Sequence, residues 1–300
     1  MIESIKSSEK YLYHYTSCNL AINFILKNKN LLLNKYSETN DPKEAREWQF
    51  DIGSNENIDF NKYNHDKLSS WLSKELKEKT KLLCFSTESG DLTGDHTRDI
   101  FNRGFCKPRM WAQYGDRHKG VCLVFDREII EKEVQKQFGT DSLVLSGPVT
   151  YRNRNVIPKP FHAEDQQYLI NIDHLEKLGA DKYVSAHLST HFKRLFFEKM
   201  DDWRGESERR YIVFSNSEEL LHLDYNDALA GIIFGDKIDE ENIITIMNMT
   251  NEKHVRHMGL KWKNCSPWYD YENPRYTQGI RNSPWGKGLR WNSKEHGESK

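Results

Sequence analysis

Residues 206–214, Glu206-Ser207-Glu208-Arg209-Arg210-Tyr211-Ile212-Val213-Phe214, pass from a charged stretch into four β-favouring residues, and two similar runs follow at 220–225 and 231–234. Only short polar turns separate these late strands. A parallel partner needs a crossover of about a dozen residues or more, so part of the sheet must be antiparallel. Upstream, strands and helices interleave. The runs 11–16, 31–33, 82–87 and 121–125 read as strands, with helical periodicity at 18–29, 66–79 and 181–200. The fold class that follows is α+β, a split mixed or antiparallel sheet core with flanking helices.

Local signals place several boundaries. Ser17 caps the helix that follows it, and Asp126 caps another that Gly139 ends. In Asn40-Asp41-Pro42-Lys43-Glu44, Asp41 suits the cap, Pro42 the first helical position and Glu44 a reach back to the cap amide, predicting a helix through Phe50. Residues 51–65 read as a polar surface connection and 88–97 as a mobile polar loop. Residues 1–280 form one domain, and 281–300 a polar, flexible tail despite Trp285 and Trp291.

The 300 residues carry 44 Lys+Arg against 45 Asp+Glu, which excludes binding a polyanion through overall charge. Hydrophobic residues are 37%, but 14 Phe, 14 Tyr and 8 Trp restore enough apolar area for a core. No run reaches the roughly 18 apolar residues of a membrane helix, and the Met1-Ile2-Glu3-Ser4-Ile5-Lys6 start lacks a signal-peptide apolar region, so the expectation is a cytoplasmic protein with no membrane partner. Cys18, Cys84, Cys106, Cys122 and Cys265 show no CxxC spacing, against a disulfide framework or zinc ribbon.

Four groups can carry chemistry. His14-Tyr15-Thr16 ends the first strand with an imidazole and a hydroxyl suited to a ribose diol, the competing reading being a His satisfied within the sheet. Glu206 and Glu208, at strand alternation, fall on one face about 7 Å apart along the backbone, near enough to raise the pKa of one. One carboxylate can then stabilise a sugar cation while the other takes a proton, unless Arg209 and Arg210 merely neutralise a surface turn. Trp111-x-x-Tyr114 with His118-Lys119-Gly120 offers a stacking platform and a cation, or simply a helix face in the core. Ser86, in Phe85-Ser86-Thr87, ends a buried strand. No metal site is predicted: the pairs His187/His191 and His254/His257 lack the flanking residues of zinc motifs, and GxGxxG and GxxxxGK[ST] are absent.

His14-Tyr15-Thr16 followed by Asn19-Leu20 and Ile25-Leu26 resembles the start of bacterial ADP-ribosyltransferases that modify nucleic acid, and Glu208 stands where that family keeps its catalytic Glu. A second resemblance, over about 12–235, is to an uncharacterised bacterial domain-of-unknown-function family. It rests on Asn40-Asp41-Pro42-x-Glu44, Cys84-Phe85-Ser86, Met110-Trp111-x-x-Tyr114, His118-Lys119-Gly120-Val121 and Trp203-x-x-Glu206-x-Glu208-x-Arg210. The transferase resemblance implies an ADP-ribosyltransferase-like fold that uses NAD as co-substrate. Within it His14 and Thr16 would bind the adenosine ribose, Asn19 the nicotinamide side, with Ser86 as a central-strand hydroxyl. Glu208 would stabilise the oxocarbenium ion and Glu206 activate the acceptor, the sites being catalytic Glu208, Glu206 and His14 and cofactor-binding His14, Tyr15, Thr16, Asn19, Ser86, Trp111, Tyr114 and His118. Arg46, Arg98 and Arg109 are candidates for a supporting arginine, and the stretch 98–109 for holding phosphates. The acceptor implied is RNA or DNA rather than protein, and the role that of a toxin in phage defence with a neutralising antitoxin partner. A nonenzymatic nucleotide-sensing module, and a metal-dependent nuclease built on Glu206, Glu208 and Asp41, are the alternatives.

Overall fold

The computed structural model describes residues 10–93, 95–154, 165–251 and 255–269. The stretch 281–300 with Trp285 and Trp291, and His254, lie outside the described residues. The strands are β1 (Tyr11–Thr16), β2 (Asn30–Lys35), β3 (Asp51–Gly53), β4 (Thr80–Ser86), β5 (Val121–Asp126), β6 (Leu143–Pro148), β7 (Thr150–Tyr151), β8 (Leu169–Asn171), β9 (Glu198–Lys199), β10 (Glu208–Phe214), β11 (Leu221–Asp224), β12 (Leu229–Phe234), β13 (Arg256–Lys263) and β14 (Ser266–Tyr269). Ten of them make one mixed sheet in the order β11-β2-β4-β1-β5-β12-β13-β14, with β10 and then β6 branching from β4. Its pairings are antiparallel except β12 with β13, whose crossover carries the helix Glu240–Met249. The fold is therefore α+β.

The branch creates the site. Along one edge β4 pairs with β10 from end to end, Thr80 opposite Phe214 and Ser86 opposite Glu208. Its other edge is shared: β2 opposes Lys81 and Leu82, while β1 opposes only Ser86. Between those contacts residues 83–85 pair with neither, and β1 and β2 diverge around the gap.

Two cores flank it. Strand alternation sends Tyr211 and Val213 of β10 into a core with β1, β5 and β12, and Ile212 and Phe214 into a second core with Leu72, Leu76, Leu188 and Phe196. The second core is built on the helices His65–Glu78 and Ala180–Phe196, close to the expected spans. Towards the start of β10, the face shared with Ile212 turns polar at Arg210 and Glu208. The apolar core stops where the gap begins.

Three sequence expectations are corrected. The helix capped by Asp41 covers only Pro42–Ala45, because beyond it the amides of Trp48 and Phe50 donate to the hydroxyls of Ser73 and Ser69, both 2.9 Å, and the chain leaves helical geometry. The 51–65 connection contains β3, paired with β8, and a 3₁₀ turn Phe60–Lys62. The loop after β4 is anchored: Glu88 is buried, accepts from Tyr13 Oη at 2.6 Å and pairs with Arg103 at 3.1 Å.

Between the helix Pro108–Gln113 and β5, Asp116, Arg117 and His118 all take left-handed conformations, φ 47°, 53° and 73°. Gly120 follows, and a Cβ there would lie 2.2 Å from the Thr16 carbonyl oxygen, a backbone atom fixed in β1. Gly120→Ala is expected to destabilise the protein by about 1–3 kcal/mol, since neither strand can retreat without breaking the β1–β5 ladder. A urea midpoint within error of wild type would show that this approach is relaxed in solution.

Candidate functional site

The gap in the sheet opens into a cleft of about 320 Å³ bounded by β1, β4 and β10, the 36–45 segment and Tyr114. It brings together His14, Ser86, Glu206 and Glu208, which are far apart in the chain.

Glu206 ends a 3₁₀ turn, Asp201–Glu206, and Ser207 takes a left-handed conformation (φ 44°, ψ 55°) before Glu208 opens β10. This turn, not strand alternation, aims both carboxylates at one cation. Lys199 Nζ lies 2.8 Å from Glu206 Oε2 and 2.9 Å from Glu208 Oε2. The Glu206 carboxylate also accepts from Tyr114 Oη at 3.0 Å, and Tyr114 in turn accepts from Asn40 Nδ2 at 2.8 Å. Ser86 Oγ donates to the Glu206 carbonyl at 2.8 Å, and Glu208 N donates to Tyr151 Oη at 2.8 Å.

Arg210, fully buried, holds Glu208 in a fork: Nε donates to Oε1 at 2.5 Å and Nη2 to Oε2 at 3.1 Å. It also donates to the Phe196 carbonyl at 2.6 Å and pairs with Glu44. Glu44 does not reach back to the Asp41 amide as a capping box would, because Arg210 draws its side chain inward.

Burial by itself would raise the Glu208 pKa, but Arg210 and then Lys199 overcome it and hold the carboxyl at about 2, the reverse of the expected like-charge shift. Because the folded value lies below the ordinary 4.5, the stabilisation is complete above that pH and is lost as pH falls towards 2. Urea unfolding between pH 7 and pH 3 is expected to show a steep loss of stability below about 4.5 that is smaller in Glu208→Gln. Parallel acid profiles for the two proteins would mean that other carboxylates carry the effect.

His14 Nδ1 lies 3.3 Å from the Cys84 carbonyl and its ring meets Phe85 edge-on. Burial lowers its pKa, so the imidazole is neutral. A carbonyl only accepts, so Nδ1 carries the proton and Nε2 remains an acceptor. Cys84 lines the cleft as a thiol, its pKa raised by burial and by the nearby Glu208.

Other candidate residues border the cleft with their polar groups engaged, or lie elsewhere. Tyr15 borders the cleft, but its hydroxyl donates to the Gly104 carbonyl at 2.7 Å and its ring packs on Trp111. Trp111 is wholly buried, with Nε1 bonded to the Phe105 carbonyl at 2.8 Å, so it offers no stacking face. His118 stacks on Trp111 and meets Trp262 edge-on. Thr16 is buried where β1 meets Gly120, and Asn19 is exposed beside Asn23. The stretch 98–109 is no phosphate track either. Arg103 is buried against Glu88, Lys107 is buried with Nζ on Ser89 and Ser207, and Arg109 lies over Trp203. Arg46 and Arg98 are exposed, and the arginine of the cleft is Arg210.

Sequence reasoning missed Lys199, Glu44 and Asn40 as site residues, and gave Arg210 no role there beyond the competing reading of a neutralised surface turn. A signal existed: Arg210 shares strand parity with Ile212 and Phe214, so it had to face the interior and find an anion there. Among the described residues no three His, Cys, Asp or Glu side chains are arranged to hold a metal ion. His187 is bonded to the Gln167 carbonyl at 3.0 Å, and His257 to Thr250 at 2.8 Å. None of the described helices is long and apolar enough to cross a membrane.

No curated protein and no solved structure matches the chain. Residues 110–211, from the Trp111 helix through Lys199, Glu206, Glu208 and Arg210, match the model of a family described as protein of unknown function (DUF2971), and over that stretch the chain is similar to this uncharacterised family.

Proposed function

We propose that the cleft binds NAD, cleaves its nicotinamide–ribose bond and passes ADP-ribose to a macromolecule, nucleic acid in preference to protein. The observation that carries this reading is charge. Three buried carboxylates, Glu44, Glu206 and Glu208, line the cleft against two cations, Lys199 and Arg210, with Glu38 exposed at its edge and paired with Lys35. A net negative set of buried charges favours a cationic pyridinium and the sugar cation that forms as nicotinamide departs. Glu208, held ionised, supplies charge at the developing cation, Glu206 serves the acceptor, and His14 Nε2 accepts from a ribose hydroxyl. A cleft of about 320 Å³ is at the small end for ligand sites, so it suits a ring and its sugar, with the rest of the dinucleotide across the mouth.

Preference for nucleic acid rests on the resemblance of the His14–Leu26 segment, as does a cytoplasmic role as a toxin in phage defence with an antitoxin partner. The test is NAD labelled in its adenylate half, incubated with the protein and cell lysate. Nicotinamide release and nuclease-sensitive label in macromolecules are expected. Label removed by protease but not nuclease would overturn the acceptor, and NAD left intact would overturn the transfer.

One observation favours a nonenzymatic sensing module as the second reading: both oxygens of Glu208 are already engaged by Arg210. That reading predicts NAD binding by calorimetry without nicotinamide release.

A further inference from the structure

One buried carboxylate oxygen of a cleft-lining residue is unanswered. Glu44 lines the cleft and is 1% exposed, and its Oε2 is buried with no hydrogen-bond partner among the described residues. The side chain is not free to turn away. Its other oxygen is held by Arg210, its own carbonyl accepts from Lys77 Nζ at 2.7 Å, and Asp41 fixes the start of its helix. A buried carboxylate oxygen without a donor is costly, and such groups are rarely left unmatched. Lys199 and Arg210, the cations of the cleft, are engaged by Glu206 and Glu208.

We infer that Glu44 is the specificity-determining residue of this cleft, its free oxygen accepting an N–H bond from the buried head group of a planar ligand. The cleft therefore selects amide or amidine heads over carboxylate or phosphate heads. An anionic head would set acceptor against acceptor at Oε2, beside two further buried carboxylates. This selectivity concerns binding alone and does not rest on the transfer chemistry proposed above.

Three probes share a ring and differ only at the head: benzamidine, benzamide and benzoate, titrated into the full chain by ligand-observed NMR. Benzamidine and benzamide are expected to bind at least tenfold more tightly than benzoate. Glu44→Gln keeps an oxygen for Arg210 and turns an NH₂ towards the ligand, so benzamide should weaken about tenfold or more while benzoate does not weaken. The wild-type ranking requires no variant, and melting curves report whether Glu44→Gln is folded. Benzoate binding as tightly as benzamide, none of the probes binding wild type, or unchanged discrimination in folded Glu44→Gln would each overturn the inference. NAD left intact by a protein that still ranks the probes as expected removes the transferase reading only, and NAD turnover with no ranking removes this one only.

Discussion

Replacing Arg210 by methionine is expected to destabilise the protein by about 3–5 kcal/mol at pH 7, the usual cost of removing one member of a buried ion-pair network. Arg210 is fully buried and neutralises Glu208 and Glu44 while answering the Phe196 carbonyl. Methionine fills much of the volume but leaves both carboxylates without that partner, and Lys199, already shared with Glu206, reaches only Glu208. Arg210→Lys restores a charge without the fork and should fall between the two. The penalty has a pH signature. Once Glu208 protonates it no longer needs the cation, so the gap between wild type and Arg210→Met should narrow as pH falls below about 4.5. Urea midpoints at pH 7 and pH 4 test this. A variant within about 1 kcal/mol of wild type at pH 7 would mean that water reaches these groups and the network does not organise the cleft.

The residues around Arg210 show what a sequence discloses and what it withholds. Asp126 and Ser17 cap their helices because a side-chain oxygen and an amide two or three residues on suffice, and nothing distant intervenes. Strands β4, β5 and β10 are legible for a similar reason, as runs of residues that suit a buried sheet. The branch at β4 is not. Which of β1, β2 and β10 lies on which edge is decided by packing between distant segments, and the gap exists only because two strands compete for one edge. Met110-Trp111-x-x-Tyr114 is recognisable as a helix, yet only packing decides that Trp111 enters the core while the Tyr114 hydroxyl reaches Glu206. The pairing of Glu44 with Arg210 joins residues 166 positions apart. Local patterns carry propensity and parity, but such partners belong to the tertiary fold.

Under the transferase reading, Glu206 and Glu208 are expected to separate when each is replaced by glutamine. Glu208→Gln removes the charge that Arg210 and Lys199 hold in place, and with it the electrostatic stabilisation of a sugar cation. Nicotinamide release and label transfer should then fall together by about 10²–10³, the usual effect of losing one preorganised group at a developing charge. The loss should lie in kcat more than KM, because the charge acts on the transition state. Glu206 lies between Tyr114 and Lys199 at the end of its turn, placed to serve an incoming nucleophile. Glu206→Gln should therefore abolish most transfer to the macromolecule while nicotinamide release to water stays within about tenfold of wild type. Measuring both products on the same samples, with melting temperatures recorded, separates chemistry from folding. Equal losses of release and transfer in both variants would mean that the two carboxylates act as one unit with Lys199. Wild-type rates in folded Glu208→Gln would remove the carboxylate mechanism altogether.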